Sequence, residues 1–212
     1  MSESLHAEYP REIVERQLGR VEPADAGWVN GATPPRDPIV INEPDPRWAT
    51  LFASESVRLH AALGDTVVRL EHVGSTSVPG LPAKPIIDID LQVGDSTAEH
   101  TYVPQLEAIG YRLTLRQPWW HEHRLLVGPD DRYFVHIFTV GAPETIRHLL
   151  FRDWLRSHPD DRDLYASVKR EIATSTAERP ADYNLAKNTV IDDIYTRIFA
   201  VPPQEHPAWP KG

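Results

Sequence analysis

The hydrophobic period of the chain switches repeatedly between two residues and three to four, and each switch marks an element. A short apolar run at 39–41 predicts a strand. Pro44-Asp45-Pro46 then opens a helix over 47–63, where Trp48, Leu51, Phe52, Leu59 and Leu63 make one apolar stripe. Residues 66–73 read as a second strand. Residues 86–93 read as a third, with strict alternation. Ile87, Ile89, Leu91 and Val93 point one way, and Ile86, Asp88, Asp90 and Gln92 the other, because successive strand side chains alternate faces.

Further along, 103–109 predicts a short helix, with Pro104 tolerated in its first turn and Gly110 as its stop signal. A strand at 111–115 and the aromatic loop QPWWHEH follow. Residues 124–127 and 133–140 flank GPDDR and read as a hairpin. From Pro143 onward the pattern is helical, with breaks at Ser157-His158-Pro159 and Glu178-Arg179-Pro180 and a last helix over 181–199. The expected fold class is α+β: a mixed sheet of about five strands with helices packed outside it. The expected organisation is an extension or linker at 1–38, a domain at 39–200, and a disordered or loosely packed tail at 201–212. Within the extension, 11–20 can form a short helix, and the Pro/Gly-rich stretch after it reads as a strap anchored by Trp28.

Composition narrows the function. The chain has 212 residues, 41% of them hydrophobic and 25% charged, which suits one soluble domain with a real core. No apolar run approaches the roughly 18 residues of a membrane span, and the polar, acidic N-terminus is neither a signal nor a transit peptide. The absence of cysteine excludes disulfides, thiolate metal sites and a cysteine nucleophile, and a cytoplasmic location is expected. A net charge of −9 argues against a long nucleic acid partner. The basic residues are mostly arginine; only Lys84, Lys169, Lys187 and Lys211 are lysines.

Candidate chemistry centres on the third strand. Asp88 and Asp90 share a face and can hold one hard cation between them, Mg2+ by preference or Mn2+. A polar outer strand face would alternate in the same way. The Gly74-Ser75 turn ahead of it, with Thr76-Ser77 adding hydroxyls and backbone amides, favours an anion nest beside a metal. Two like charges side by side also call for a cation. Lys84 fits as a phosphate ligand or as a counter-ion to the aspartates, with Glu71 and Asp95 as minor helpers. His121, Glu122, His123 and Arg124 form a second polar cluster. A zinc site built from His121, His123 and His136 is conceivable; a basic wall with Arg124 and Arg132 binding substrate phosphate is preferred. Trp119 and Trp120 either stack on a base or anchor their loop. In the final helix Lys187 sits one turn from Tyr183, and the acidic residues at 160–163 suit a helix start.

The run HVGSTSVPGLPAKPIIDI resembles the GrpB family, and the resemblance extends over about 39–200. It takes in NEPDPRW, VHIFTV, FRDWLRSHPDDRDLYASVKREIA and YNLAKNTVIDDI. It implies a core built like a nucleotidyltransferase. On that resemblance Gly74, Ser75 and Thr76 hold the β- and γ-phosphates of a nucleoside triphosphate. Lys84 and Lys187, with Arg124 from the basic wall, are the candidate phosphate ligands, and Asp88 and Asp90 the expected catalytic metal ligands. His136 stands where active relatives of the superfamily place a third acid, so the usual two-metal arrangement lacks one ligand. A histidine there can act as general base, metal ligand or core residue. The implied function is magnesium-dependent nucleotidyl transfer to a small-molecule acceptor. Some family members are fused to dephospho-coenzyme A kinase, which implies a second possibility: a non-catalytic nucleotide- or coenzyme-A-related binding module assisting a partner enzyme. A metal-dependent reaction on another substrate class, using the histidines, is a third.

Overall fold

The computed structural model describes residues 8–16, 27–33, 38–179 and 182–209. In chain order the elements run α1 (Arg11–Val14), α2 (Arg47–Leu63), β1 (Arg69–Val73), β2 (Ile87–Val93), α3 (Val103–Ala108), β3 (Arg112–Gln117), β4 (His123–Val127) and β5 (Tyr133–Thr139). Four helices close it: α4 (Pro143–Ser157), α5 (Pro159–Ser175), α6 (Tyr183–Ala186) and α7 (Asn188–Ile198). The strands form one mixed sheet in the order β1-β2-β5-β4-β3. Only the β2–β5 pair is parallel, and the long crossover that a parallel pair needs is supplied by α3, β3 and β4.

The alternation in β2 divides the molecule. Ile87, Ile89 and Leu91 are fully buried and Val93 is nearly so, in one cluster with Leu59 of α2 and Leu106 of α3. Each such side chain contributes roughly 1.5–3 kcal/mol on burial. A second apolar cluster joins Leu150, Trp154, Tyr165, Ile194 and Ile198 of the C-terminal helices. Helix α4 touches β1, which brings the helical cluster over the polar face of β2.

Several expectations are corrected. Residues 39–41 form no strand: Val40 is exposed, with no layer to bury it, and the single contact with sheet-like geometry is the bridge between Asn42 and Ala83. The second strand is shorter than expected, because Gly64–Thr66 make a 3-10 turn. The final helix is interrupted at Lys187, which keeps helical dihedrals (φ −75°, ψ −15°); Pro180 and Ala181 lie outside the described residues. The proposed helix at 11–20 stops at Val14, and its portion at 17–20 is likewise outside them. Trp28 does pair with the sheet edge, at Leu115.

Both ends of the described chain belong to the helical core, so residues 201–209 are not the loose tail the sequence suggested. Tyr9 and Ile13 are buried, Trp209 packs edge-on against Tyr9 at 5.2 Å, and His206 Nε2 meets Ile198 O at 3.1 Å. Arg147 of α4, 2% exposed, ties these parts together. Its guanidinium donates to the carbonyls of Ile13 and Val14, lies 3.9 Å from the centre of the Tyr195 ring, and faces Glu144 at 3.5 Å. Removing one partner of a buried ion pair leaves the other charge uncompensated. Arg147→Met is therefore expected to cost about 3 kcal/mol, read as a lower urea midpoint, and to open residues 8–16 to protease. A variant as stable as the wild type would show that this contact does not hold α1.

Candidate functional site

The polar face of β2 meets its neighbours in register. Asp90 stands opposite Glu71 on one side and His136 on the other, and Asp88 stands opposite Val73. Directly after Val73 the chain turns at Gly74, with φ 66°, a left-handed conformation that glycine adopts without steric cost. A side-chain carbon at Gly74 would also collide with the Asp88 carboxylate. The Gly-Ser turn and Asp88 are thus in contact across one cleft.

The two carboxylates differ. The Asp88 side chain is 31% exposed and that of Asp90 only 2%. Asp90 Oδ2 accepts a hydrogen bond from His148 Nδ1 at 2.8 Å, while its Oδ1 is buried with no protein partner. Burial by itself would lower the His148 pKa, but Asp90, Glu144 and Asp88 together raise it to about 9. His148 therefore stays charged at neutral pH. A buried carboxylate oxygen without a donor is costly, and beside a second carboxylate it suits a hard cation. Among the described residues no group of three or more His, Asp or Glu side chains is placed to hold a metal, so a cation here would take two protein carboxylates and complete its shell from substrate and water.

A hydrogen-bonded row of side chains ends at Asp88. Gln117 Oε1 meets His123 Nδ1 at 2.9 Å, His123 Nε2 meets His136 Nδ1 at 3.0 Å, and His136 Nε2 lies 3.6 Å from Asp88 Oδ1. Burial, then the charge of His136, holds His123 well below the usual imidazole pKa, so it is neutral. With the Gln117 oxygen accepting from Nδ1, His123 must accept at Nε2. His136 then donates from Nδ1, and its Nε2 faces Asp88.

Three of the four lysines converge on the same cleft. Lys169 Nζ donates to Ser75 Oγ at 2.9 Å and to Pro82 O. Lys84 and Lys187 lie 5.2 and 4.7 Å from the centre of the Tyr183 ring. Burial, then repulsion from Lys187 and Arg170, lowers Lys169 to about 7, and burial followed by Lys84 lowers Lys187 to about 8. Lys84 is lowered by burial, with Asp88 opposing; Asp88 opposes the shift at all three. Buried cations crowded to the point of losing protons need an anion.

The structure brings together Gly74, Ser75, Lys84, Asp88, Asp90, His136 and Lys187, and leaves other candidates out. Arg124 projects from the opposite sheet face, where it pairs with Glu99 at 2.7 Å, so it is not in the phosphate site. Its register partner is Ile137, a residue of the first core. The Thr76 hydroxyl donates to Ile86 O and contacts His72, which turns it away from the cleft. Arg132 is exposed at the start of β5, and Asp95 is engaged by Thr97. His121, with φ 52°, leaves the line of His123, and the three-histidine zinc site does not form. Trp120 packs edge-on against His123 and Phe138, so it anchors its loop. Sequence reasoning missed Lys169 and His148. For Lys169 a signal existed: it is one of four lysines in an arginine-rich chain. For His148 nothing local marked it.

Known proteins share this architecture and much of this sequence. UPF0157 protein BH1888 of Halalkalibacterium halodurans is 45% identical over 189 residues, 89% of this chain and 91% of that protein. A crystal structure of the conserved protein GrpB from Enterococcus faecalis superposes with a TM-score of 0.58 at 29% identity, over 74% of this chain and 99% of that one. A dephospho-CoA kinase of Mycolicibacterium paratuberculosis is 33% identical over 195 residues, 77% of this chain but only 47% of the kinase. The family described as GrpB protein matches residues 38–197, and the chain belongs to it.

Proposed function

We propose that this protein binds a nucleoside triphosphate together with Mg2+ or Mn2+ and transfers its nucleotidyl group to a small-molecule acceptor. The observation that carries the reading is the convergence of Lys169 at Ser75 with Lys84 and Lys187 at Tyr183, all within the influence of Asp88, near the partnerless Oδ1 of Asp90. The phosphates would lie along Gly74, Ser75 and the lysines. A divalent ion on Asp88 and Asp90 would supply charge neutralisation at the reacting phosphate. His136 Nε2 takes the proton from the acceptor hydroxyl as its oxygen bonds to the α-phosphorus. The bond from the α-phosphorus to the bridging oxygen breaks, and pyrophosphate leaves against the lysine cluster. His148 holds Asp90 in place throughout.

The likeness to half of a dephospho-CoA kinase favours one other reading, a module that binds a nucleotide or coenzyme-A-related ligand for a partner enzyme. His136→Gln separates the two. A transferase loses turnover on this change while keeping nucleotide binding, whereas a binding module has no turnover to lose.

Because Asp90 neutralises His148, Asp88→Asn is the cleaner probe of metal-linked binding. The wild type is expected to gain several degrees in melting temperature with nucleoside triphosphate and Mg2+, and the variant to lose that gain. An undiminished shift in Asp88→Asn would remove the aspartate from the site.

The lysines give a second expectation. Free Lys169 and Lys187 are partly deprotonated near pH 8, and a bound triphosphate restores their charge. Binding at pH 8 should therefore take up on the order of one proton, measurable by calorimetry in buffers of different ionisation heat. Affinity should fall as pH rises from 7 to 9. Release of protons, or a flat profile, would place the phosphates elsewhere.

A further inference from the structure

Arg16 stands upstream of residues 38–197, which match the family, yet its side chain reaches the cleft. The segment that carries it is fixed. Tyr9 OH donates to Val201 O at 2.6 Å, Ile13 is buried, and Arg147 caps the carbonyls of Ile13 and Val14. From there Arg16 lines a cavity of about 170 Å3 with Gly74, Ser75, His148, Arg152 and Tyr165. That cavity adjoins the Gly-Ser turn, and Arg16 is close enough to Lys187 to help lower its pKa.

The present partners of Arg16 are weak ones. Nη2 donates to the neutral Asn188 Oδ1 at 2.9 Å, and Nη1 meets Asp192 Oδ1 at 3.2 Å. Asp192 is 56% exposed, and an ion pair with so open a partner contributes little, about 0–1 kcal/mol. A guanidinium paired with phosphate makes charge-assisted, often bidentate hydrogen bonds of about twice the neutral strength. A phosphate entering the cavity would therefore compete well with Asp192.

We propose that Arg16 is a phosphate-recognition residue, supplied to the triphosphate site by the N-terminal segment and held beside the Gly-Ser turn by Asp192 until an anion takes it over. This deepens the reading given above and rests on it. Asp192 then acts as a placeholder that tempers affinity, and its removal should strengthen anion binding.

The experiment titrates inorganic triphosphate with Mg2+ into the full chain by calorimetry, for wild type, Arg16→Ala, Arg16→Lys and Asp192→Asn. Melting temperatures of the ligand-free proteins are recorded in parallel. Arg16→Ala is expected to bind about tenfold more weakly, Arg16→Lys to recover part of the loss, and Asp192→Asn to bind a few-fold more tightly. If the wild type binds triphosphate and Arg16→Ala binds it equally well, the inference about Arg16 falls alone. It falls equally if Arg16→Ala and Asp192→Asn lower the melting temperature alike with no change in affinity, since Arg16 would then only tether α1 to α7. A wild type that binds no triphosphate overturns the nucleotide reading, and the role of Arg16 with it.

Discussion

Burying alternate residues of β2 constrains everything else in the molecule. Ile87, Ile89, Leu91 and Val93 cannot reach the first core without turning Asp88 and Asp90 to the other side. The sheet face they occupy is then covered by helices, which enclose Asp90 and leave Asp88 partly open. Enclosed carboxylates require cations, and the fold supplies them from α4, α5 and the turn at Lys187. His148 answers Asp90 directly. The lysines face Asp88 at longer range, and their lowered pKa values show that one carboxylate does not satisfy three cations.

This imbalance is a property of the ligand-free protein. Placing Lys84, Lys169 and Lys187 together costs stability in the absence of an anion, since each loses hydration and repels its neighbours. On the acidic side, Asp90 Oδ1 is buried without a donor. Both unmet demands lie on one cleft, and they have opposite sign. A ligand carrying negative charge together with a divalent cation meets both. Neither an anion alone nor a cation alone does so.

What the sequence made legible was whatever depended on local period. The alternation in β2, the helix over Arg47–Leu63 and the stop at Gly110 all follow from short-range pattern. The run at 39–41 misled because three apolar residues look the same whether or not a sheet edge awaits them. Arg124 misled for a reason of register. It adjoins His123 in β4, and one position along a strand reverses the face, so His123 meets His136 while Arg124 meets Glu99. His148 and Arg16 were illegible as site residues and Lys169 was marked only by its rarity as a lysine, because each reaches the cleft only when its segment packs against the sheet. Lys169, for instance, lies on a helix 94 residues from the Ser75 hydroxyl it contacts.

His136 also makes electrostatic sense in its place beside β2. Its register partner Asp90 and its near neighbour Asp88 are already negative. A third carboxylate within a few ångströms would add like-charge repulsion of about 4 kcal/mol per pair at 4 Å for an effective dielectric of 20. Such repulsion is tolerable where two metal ions neutralise it. The cleft already holds two carboxylates, one of them paired with His148. An imidazole at position 136 adds no negative charge to that pair. Its Nδ1 is committed to His123, and His123 in turn to Gln117, while its Nε2 lies 3.6 Å from Asp88 Oδ1. Position 136 thus takes a side chain that the sheet orients through His123 and that adds no negative charge beside β2.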